Sequence, residues 1–445
     1  MVFVPSVSKL ARFPLLIILA LIPFHTLFVA HILPARFDVH PMALVLWKET
    51  LLLVTLCCGT MVTFAHGRTP VFTSIDASVL AFVAYALLSL PFSPSPLAAL
   101  YGIRNYTEAF LALLLAARFL QLGEQGIWQL SQLLLAVAFF ISVWAIFQST
   151  YLGPAFLLAN GYAQDGRLPT AFTGDFPFQR AVGTFGSPNV FALYLTTILL
   201  VVNTVGKARS ARGLVWDAAQ VTLGAALLAT ASRSAALGLG VGLVARWLVS
   251  PEPRTYRRPR ARLLLLVGAS ALLLVVAASS SYVAVLPKHL YRTFTLDDPS
   301  AAARITSLRD SLGVLREHPF GVGIGQTGPR AVNYTGRLLN AESSYLIVAL
   351  DTGIFGLAAY LGIWITIGAA LRGAYVDCLR LGARTAAEFC RGAFAAVCGA
   401  ATACLFLPLN VEVEVMLVLC LIAGAALAGA RYVAPEAPAA VSIPA

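Results

Sequence analysis

About a dozen apolar runs, each near the length of a membrane-spanning helix, dominate this sequence of 445 residues. An apolar helix of roughly 20 residues can cross the hydrocarbon core of a bilayer, because it satisfies its own backbone hydrogen bonds. The runs are residues 13–33, 43–65, 75–91, 102–120, 128–150, 184–205, 214–231, 234–249, 262–285, 344–371, 389–408 and 412–430. The sequence therefore predicts an all-α polytopic membrane protein with about 12 transmembrane helices.

The composition excludes a water-soluble fold. Hydrophobic residues make up 59% of the chain and charged residues only 11%, with a mean hydropathy of +0.82, whereas soluble domains carry roughly 25% charged residues. The formal net charge of +11 would suit nucleic-acid binding, but the cations fall at the ends of the runs and not on one basic face, so we expect no nucleic-acid partner. The seven cysteines lie in or beside apolar runs, without a metal or disulfide spacing. We expect neither a metal nor another cofactor.

Basic residues between the runs determine the predicted orientation. The strongest cluster immediately precedes run 262–285, and short basic loops stay in the cytoplasm. Its members are Arg254, Arg257, Arg258, Arg260 and Arg262. Both termini are then cytoplasmic, and two long hydrophilic loops, 151–183 and 286–343, lie on the outer side. We interpret run 13–33 as the first span and not as a signal peptide, because it is too long and no cleavage site follows.

This pattern divides the chain into four parts. Residues 1–285 hold nine spans and the outer loop 151–183, and residues 286–343 form a large outer loop with a helix at 301–317. Residues 344–431 hold the last three spans, and residues 432–445 form an Ala/Pro-rich cytoplasmic tail that we expect to be disordered. The segment Asp351-Thr352-Gly353 interrupts run 344–371, which allows a short entry helix followed by a spanning one.

Three arginines lie close to the predicted outer membrane surface, where an ionisable group costs free energy unless it is paired. Arg180 closely precedes a run, Arg233 sits between two runs, and Arg104 heads a run. A guanidinium group matches phosphate with two parallel hydrogen bonds and keeps its charge where the dielectric constant is low. We therefore expect these arginines to bind a lipid-linked phosphate or diphosphate. The alternatives are snorkelling or, for Arg104, a structural pair with Glu49 or Glu108.

Carboxylates supply the second half of the candidate chemistry. Glu342 ends the large loop just before a run, where it could act as a general base on a hydroxyl group; the alternative is a charge favoured by the helix dipole. Asp351 is a second candidate acid, although its Asp-Thr-Gly context equally suits a helix break. Residues 321–325 (GVGIG) lack the preceding strand of a phosphate-binding loop, so we interpret them as a tight turn that returns the chain to the membrane.

Four segments, in their order and their placement against the spans, resemble the bacterial O-antigen polymerase and O-antigen ligase (Wzy and WaaL) superfamily. They are residues 180–189 (RAVGTFGSPN), 230–234 (TASRS), 318–325 (HPFGVGIG), and 342–346 (ESSYL) followed by 351–357 (DTGIFGL). Each segment alone is a weak signal, and the four together are fairly specific. The resemblance covers roughly residues 100–372.

The resemblance implies a GT-C-like helical fold and a metal-independent membrane glycosyltransferase of the bacterial inner membrane. Such proteins move a glycan from an undecaprenyl-diphosphate carrier to an acceptor hydroxyl on the periplasmic side, with inversion. The arginines that match Arg180 and Arg233 would hold the diphosphate, and Glu342 would accept the proton of the attacking hydroxyl. The residues that we expect to assist in binding the diphosphate or the glycan are Arg104, Arg304, Arg309, Asn189 and Tyr345.

Glu342 marks a departure from the ligases of this family, which usually carry a histidine there. A glutamate resembles some polysaccharide polymerases, so we expect a polymerase that joins lipid-linked repeat units. The alternatives are a ligase that transfers finished glycan to lipid A-core and, from another class, a transporter or flippase for lipid-linked glycan. Expected partners are the carrier-linked glycan, an acceptor glycan or lipid A-core, membrane lipids, and a chain-length regulator and a flippase.

Overall fold

The structure is a computed structural model that describes residues 4–32, 45–65, 71–160, 162, 179–208, 213–249, 299–329, 331 and 341–433. The predicted span 262–285, most of both outer loops and the tail after residue 433 lie outside the described residues. Every regular element in the described part is helical, and no strand occurs there. This confirms the all-α class.

The helices follow the apolar runs closely. They are α1 (Val4–Leu21), α2 (Trp47–Ala65), α3 (Ser74–Leu88), α4 (Pro96–Phe119), α5 (Glu124–Phe147), α6 (Gly153–Ala159), α7 (Pro188–Ala208), α8 (Leu214–Ala229), α9 (Arg233–Val249), α10 (Pro299–Glu317), α11 (Ser344–Arg380), α12 (Arg384–Ala403) and α13 (Val413–Val433). Local capping explains some of the boundaries. Thr73 and Asp76 form a reciprocal capping box at the start of α3, and Ser95 caps α4 ahead of Pro96.

Several helices are long and apolar enough to cross a membrane. Five stretches of the described chain meet that standard, namely Trp47–Ala65, Glu124–Ala159, Pro188–Gly206, Ser344–Arg380 and Val413–Val433. Three shorter apolar helices accompany them, Leu10–Phe24, Ser74–Leu88 and Leu214–Ala229. The chain is therefore a helical membrane protein, and the total of about 12 spans stays a prediction.

Helix α13 forms the centre of the bundle: 94% of the residues in its most apolar 18-residue stretch are buried. It packs against α4, α11 and α12, and α12 in turn packs against α7 and α9. Small residues allow these helices to approach closely: a Cβ on Gly424 would lie 2.6 Å from the carbonyl oxygen of Leu113, and one on Gly238 would lie 2.8 Å from that of Gly399. Close packing at small residues replaces the hydrophobic driving force, which is absent between helices in lipid.

The glycine-rich segment forms the predicted turn. Gly321, Gly323 and Gly325 have φ of +90°, +108° and +76°, a region that side chains with a Cβ rarely occupy. The amide of Gly325 donates to Asp351 Oδ2 over 2.8 Å. The predicted interruption at Gly353 is also present, because this residue has φ +70° and separates α11 into an entry part and a longer helix. Turn and kink lie against each other: a Cβ on Gly321 would lie 2.7 Å from the backbone nitrogen of Gly353.

We predict that Gly325→Ala lowers the stability of the bundle. A left-handed backbone costs a residue with a Cβ about 1–2 kcal/mol, and the new Cβ would also collide with the carbonyl oxygen of Ala98. The apparent Tm of the detergent-purified protein should fall by several degrees. Gly373→Ala is the matched control, since a Cβ there meets open space and should slightly raise the Tm. Equal Tm values for the two variants would contradict the turn geometry.

Candidate functional site

A break between two helices supplies the framework of the site. Helix α8 ends at Ala229, and α9 begins at Arg233, so that only Thr230, Ala231 and Ser232 connect them. Ala231 has φ +50° and is the only non-glycine residue with positive φ in the described part of the chain. Such a conformation costs free energy and occurs where surrounding contacts impose it, often at functional sites. The turn places Arg233 at the first position of α9.

Arg180 is fixed to this break by neutral oxygen atoms. Its Nε donates to the carbonyl oxygen of Thr230 over 2.6 Å, and its Nη2 donates to Asn189 Oδ1 over 2.8 Å. The next residue also binds this helix end: the backbone amide of Ala181 donates to the carbonyl oxygen of Ala229 over 3.0 Å. The last carbonyl groups of a helix have no partner within the helix. The loop before α7 therefore docks on the end of α8, and the side chain of Arg180 is 9% exposed.

Three guanidinium groups converge here. Burial, followed by the positive charges of Arg233 and Arg304, lowers the pKa of Arg180 to about 10. Arg180 therefore keeps its charge at neutral pH, in surroundings that disfavour a cation. An anion bound beside it would relieve this cost. These residues come from the loop before α7, the start of α9 and the N-terminal third of α10.

A carboxylate lies at the same place. Arg304 Nε contacts Glu342 Oε2 at 2.9 Å, and their side chains are 27% and 37% exposed. The two residues after Glu342 anchor it to the end of α12: Ser343 Oγ donates to the carbonyl oxygen of Cys404 over 3.1 Å, and Ser344 Oγ to that of Leu407 over 2.7 Å. The structure thus brings Arg180, Arg233, Arg304 and Glu342 into one electrostatically connected group, which we call the arginine–glutamate cluster. This group can bind a diphosphate and hold a base beside it.

The other residues assigned from the sequence lie at various distances from this cluster. Asn189 contacts Arg180 directly. Arg309 is exposed on α10. The hydroxyl of Tyr345 donates to the carbonyl oxygen of Ala401 over 2.7 Å. A direct contact of any of these residues with a substrate stays a prediction.

Arg104 belongs to a second charged group. Its Nε donates to Glu49 Oε1 over 2.8 Å, and its Nη2 lies 3.8 Å from Glu108 Oε2. Lys48, only 1% exposed, also contacts both carboxylates. Arg104 thus forms the pairs that the sequence allowed as the structural alternative.

Sequence reasoning missed one polar network. Asp351 is buried and accepts hydrogen bonds from Tyr106 Oη over 2.6 Å, from Thr327 Oγ1 over 2.7 Å and from the amide of Gly325. It therefore holds the glycine-rich turn against α4 and α11. The sequence Asp351-Thr352-Gly353 indicates a helix break. No local pattern predicts the contact between Tyr106 and Asp351, because these residues are 245 positions apart.

The described residues form a helical membrane protein with a cluster of arginines at the break between two helices. Comparison with known families agrees with this class: residues 218–361 match the family model described as O-antigen ligase. The matched region runs from α8 through α10 into α11, and it contains Arg233, Arg304 and Glu342. The match supports assignment of the chain to the Wzy/WaaL superfamily. No curated protein matches the chain.

We predict that Ala231→Gly stabilises the protein. Glycine adopts positive φ without steric cost, so that the substitution should gain up to about 1 kcal/mol and raise the apparent Tm by roughly 1–2 °C. Ala218→Gly is the matched control, because it places glycine at an exposed position within α8 and should cost about 0.5–1 kcal/mol. A lower Tm for Ala231→Gly would contradict the left-handed turn.

Proposed function

We propose that the protein is a polysaccharide polymerase, which transfers a glycan from an undecaprenyl-diphosphate carrier to a sugar hydroxyl of an acceptor glycan. The observation that carries the proposal is the arginine–glutamate cluster. Three guanidinium groups and one carboxylate from distant parts of the sequence meet there, in a chain whose residues 218–361 match an O-antigen ligase family.

The diphosphate leaving group of the proposed reaction accounts for the presence of three arginines. When the anomeric carbon is attacked, negative charge develops on the diphosphate of the carrier. Arg180, Arg233 and Arg304 would stabilise that charge through charge-assisted hydrogen bonds. Arg180 is held by Thr230 and Asn189, so that its guanidinium group would need little reorganisation during the reaction.

The attacking hydroxyl group accounts for the carboxylate of Glu342, because it must lose a proton. In the proposed step, the acceptor oxygen forms the new glycosidic bond, Glu342 accepts its proton, and the carrier diphosphate leaves with the electrons of the broken bond. The attack is in line, so that the anomeric centre inverts. Arg304 orients Glu342 through the 2.9 Å contact and lies near the leaving group on the other side. The mechanism assigns no role to a metal.

We also propose the cellular setting. The protein would lie in the bacterial inner membrane, with both termini in the cytoplasm and the arginine–glutamate cluster on the periplasmic side. Support comes from the basic segment 254–262, which the positive-inside rule keeps in the cytoplasm. A chain-length regulator and a flippase would act on the same carrier-linked glycan.

We predict that Arg180→Ala and Arg233→Ala each lower kcat by roughly 10²–10³-fold, because each removes a donor to the leaving group. Glu342→Gln should lower kcat by about 10²–10⁴-fold through loss of the base. The measurement is glycan transfer by purified protein in nanodiscs with a diphosphate-linked repeat unit. Arg316→Ala is the control, since Arg316 is exposed near the end of α10 and should leave the rate unchanged. Full activity of both Arg233→Ala and Glu342→Gln would exclude the assigned site.

A ligase is the second candidate, because the matching family model is described as O-antigen ligase. The product distribution separates the two reactions. We predict that purified protein supplied with the diphosphate-linked repeat unit alone yields a ladder of glycan lengths. A product that forms only when lipid A-core is added would establish the ligase instead. A flippase would move the carrier lipid across the membrane and leave its glycan unaltered.

A further inference from the structure

An exposed row of apolar side chains follows one face of α10. Ile305, Leu308 and Leu312 are 50%, 44% and 42% exposed, and we call them the apolar ridge. Their spacing of three and four residues places them on one face of the helix. Another face carries the buried Ser311 and the partly buried Val314, which packs against the core of the bundle. The ridge is therefore not the face by which α10 packs on the other helices.

The charged residues of α10 are separated by sign around the same helix. At about 100° per residue, Arg316 and Arg309 follow the ridge residue Ile305 by roughly 20° and 40°. Glu317 and Asp310 follow it by roughly 120° and 140°. All four charged side chains are exposed. An apolar stripe that is bordered by arginines, with the carboxylates on a more distant face, complements a layer of phosphates above hydrocarbon.

The end of α10 is fixed to a helix that can cross the membrane. The carbonyl oxygen of Pro319 accepts a hydrogen bond from the amide of Ile354 over 3.2 Å. The ring of Phe320 stacks on that of Phe355 with 6.0 Å between the centroids, and the two residues are 72% and 56% exposed. Because α11 is apolar and long enough to cross a membrane, its exposed ring should face lipid. The stacked Phe320 brings the end of α10 to the same level.

The length of α11 determines this level. Residues 354–371 contain no charged residue and extend for about 27 Å at roughly 1.5 Å per residue, which is close to the roughly 30 Å thickness of the hydrocarbon core. Ile354 and Phe355 therefore lie near one surface of the membrane. Since Pro319 and Phe320 contact them, α10 lies at that surface too.

We propose that α10 is an interfacial helix, whose apolar ridge inserts among the acyl chains of the membrane phospholipids. Arg309, which is beside all three ridge residues, lies at the level of the phospholipid phosphates. This lipid contact goes beyond the proposed function and does not depend on it. Its consequence for catalysis does rest on that function. Arg304 directly precedes the ridge and pairs with Glu342, so that the inserted helix holds both groups at the depth where the diphosphate of a carrier lipid lies.

Depth measurements by EPR test the lipid contact without any reaction. A nitroxide label is attached at Leu308→Cys, on the ridge, or at Glu317→Cys, on the distant face, in full-length protein in nanodiscs of phosphatidylethanolamine and phosphatidylglycerol. Serine first replaces the cysteines that are at least partly exposed, namely Cys57, Cys58 and Cys398. Collisions with oxygen, which concentrates in lipid, and with a water-soluble nickel chelate give the depth of each label. We expect the label at Leu308 about 5–10 Å below the phosphates and the label at Glu317 in water.

Three results would overturn the lipid contact. A label at residue 308 that collides mainly with the nickel chelate would show that the ridge faces water. Weak collisions with both reagents would show that another part of the chain, or a second copy of it, covers the ridge. Equal depths at residues 308 and 317 would contradict the orientation of the helix.

A kinetic comparison tests the consequence for the reaction. Leu308→Glu places a charge on the ridge and should raise the KM for a long-chain, membrane-embedded donor by about 2–5-fold, as expected for one charge near a membrane interface. The KM for a short-chain, water-soluble diphosphate donor should not change. Gly313→Glu is the matched control, because it adds the same charge to α10 away from the ridge, where a Cβ meets open space.

The two donors also separate the possible failures. Equal increases for both donors, or an unchanged KM for the long-chain donor in Leu308→Glu, would overturn the role of α10 in setting the depth of the cluster. Absence of transfer by the unsubstituted protein would instead contradict the proposed function, and the EPR depths would still decide the lipid contact.

Discussion

The hydrogen bond from Arg180 to the carbonyl oxygen of Thr230 is the interaction on which the site depends. A helix that ends inside a membrane protein leaves carbonyl groups without partners, and a buried guanidinium group needs hydrogen-bond acceptors. The 2.6 Å contact meets both needs at once. It joins the loop before α7 to the α8–α9 break, and the same break starts α9 with Arg233. One irregular turn therefore positions two of the three clustered arginines.

Other helices position Arg304, the third arginine, and Glu342. Helix α10 packs against α11, which places Arg304 against Glu342, and the serines after Glu342 tie the start of α11 to the end of α12. The glycine-rich turn and Asp351 fix the other side of the same helix. Glu342 and Arg304 are thus supported by α10, α11 and α12, whereas Arg180 and Arg233 are positioned by the α8–α9 break.

Much of this could be predicted from the sequence, because the bilayer makes hydrophobic length a strong signal. The helices, the interruption at Gly353 and the glycine-rich turn each follow from a few adjacent residues. The contacts across the bundle do not. Lys48 lies at a helix end in the sequence, but it is buried between Glu49 and Glu108. Asn410 lies in an apolar segment without a motif. Such pairings depend on helix packing, which hydropathy does not determine.

The two arginine groups differ in their electrostatic surroundings. Arg104 and Lys48 share two carboxylates, so each positive charge in that group has a negative partner and the helices gain a fixed contact. Arg180 donates to the neutral oxygens of Thr230 and Asn189, and its pKa falls to about 10 because burial and neighbouring cations disfavour its charge. A protein retains such an arrangement at a cost in stability. Under the proposed function, an anionic ligand would offset that cost in the Arg180 group, whereas Glu49 and Glu108 balance the charges of Arg104 and Lys48.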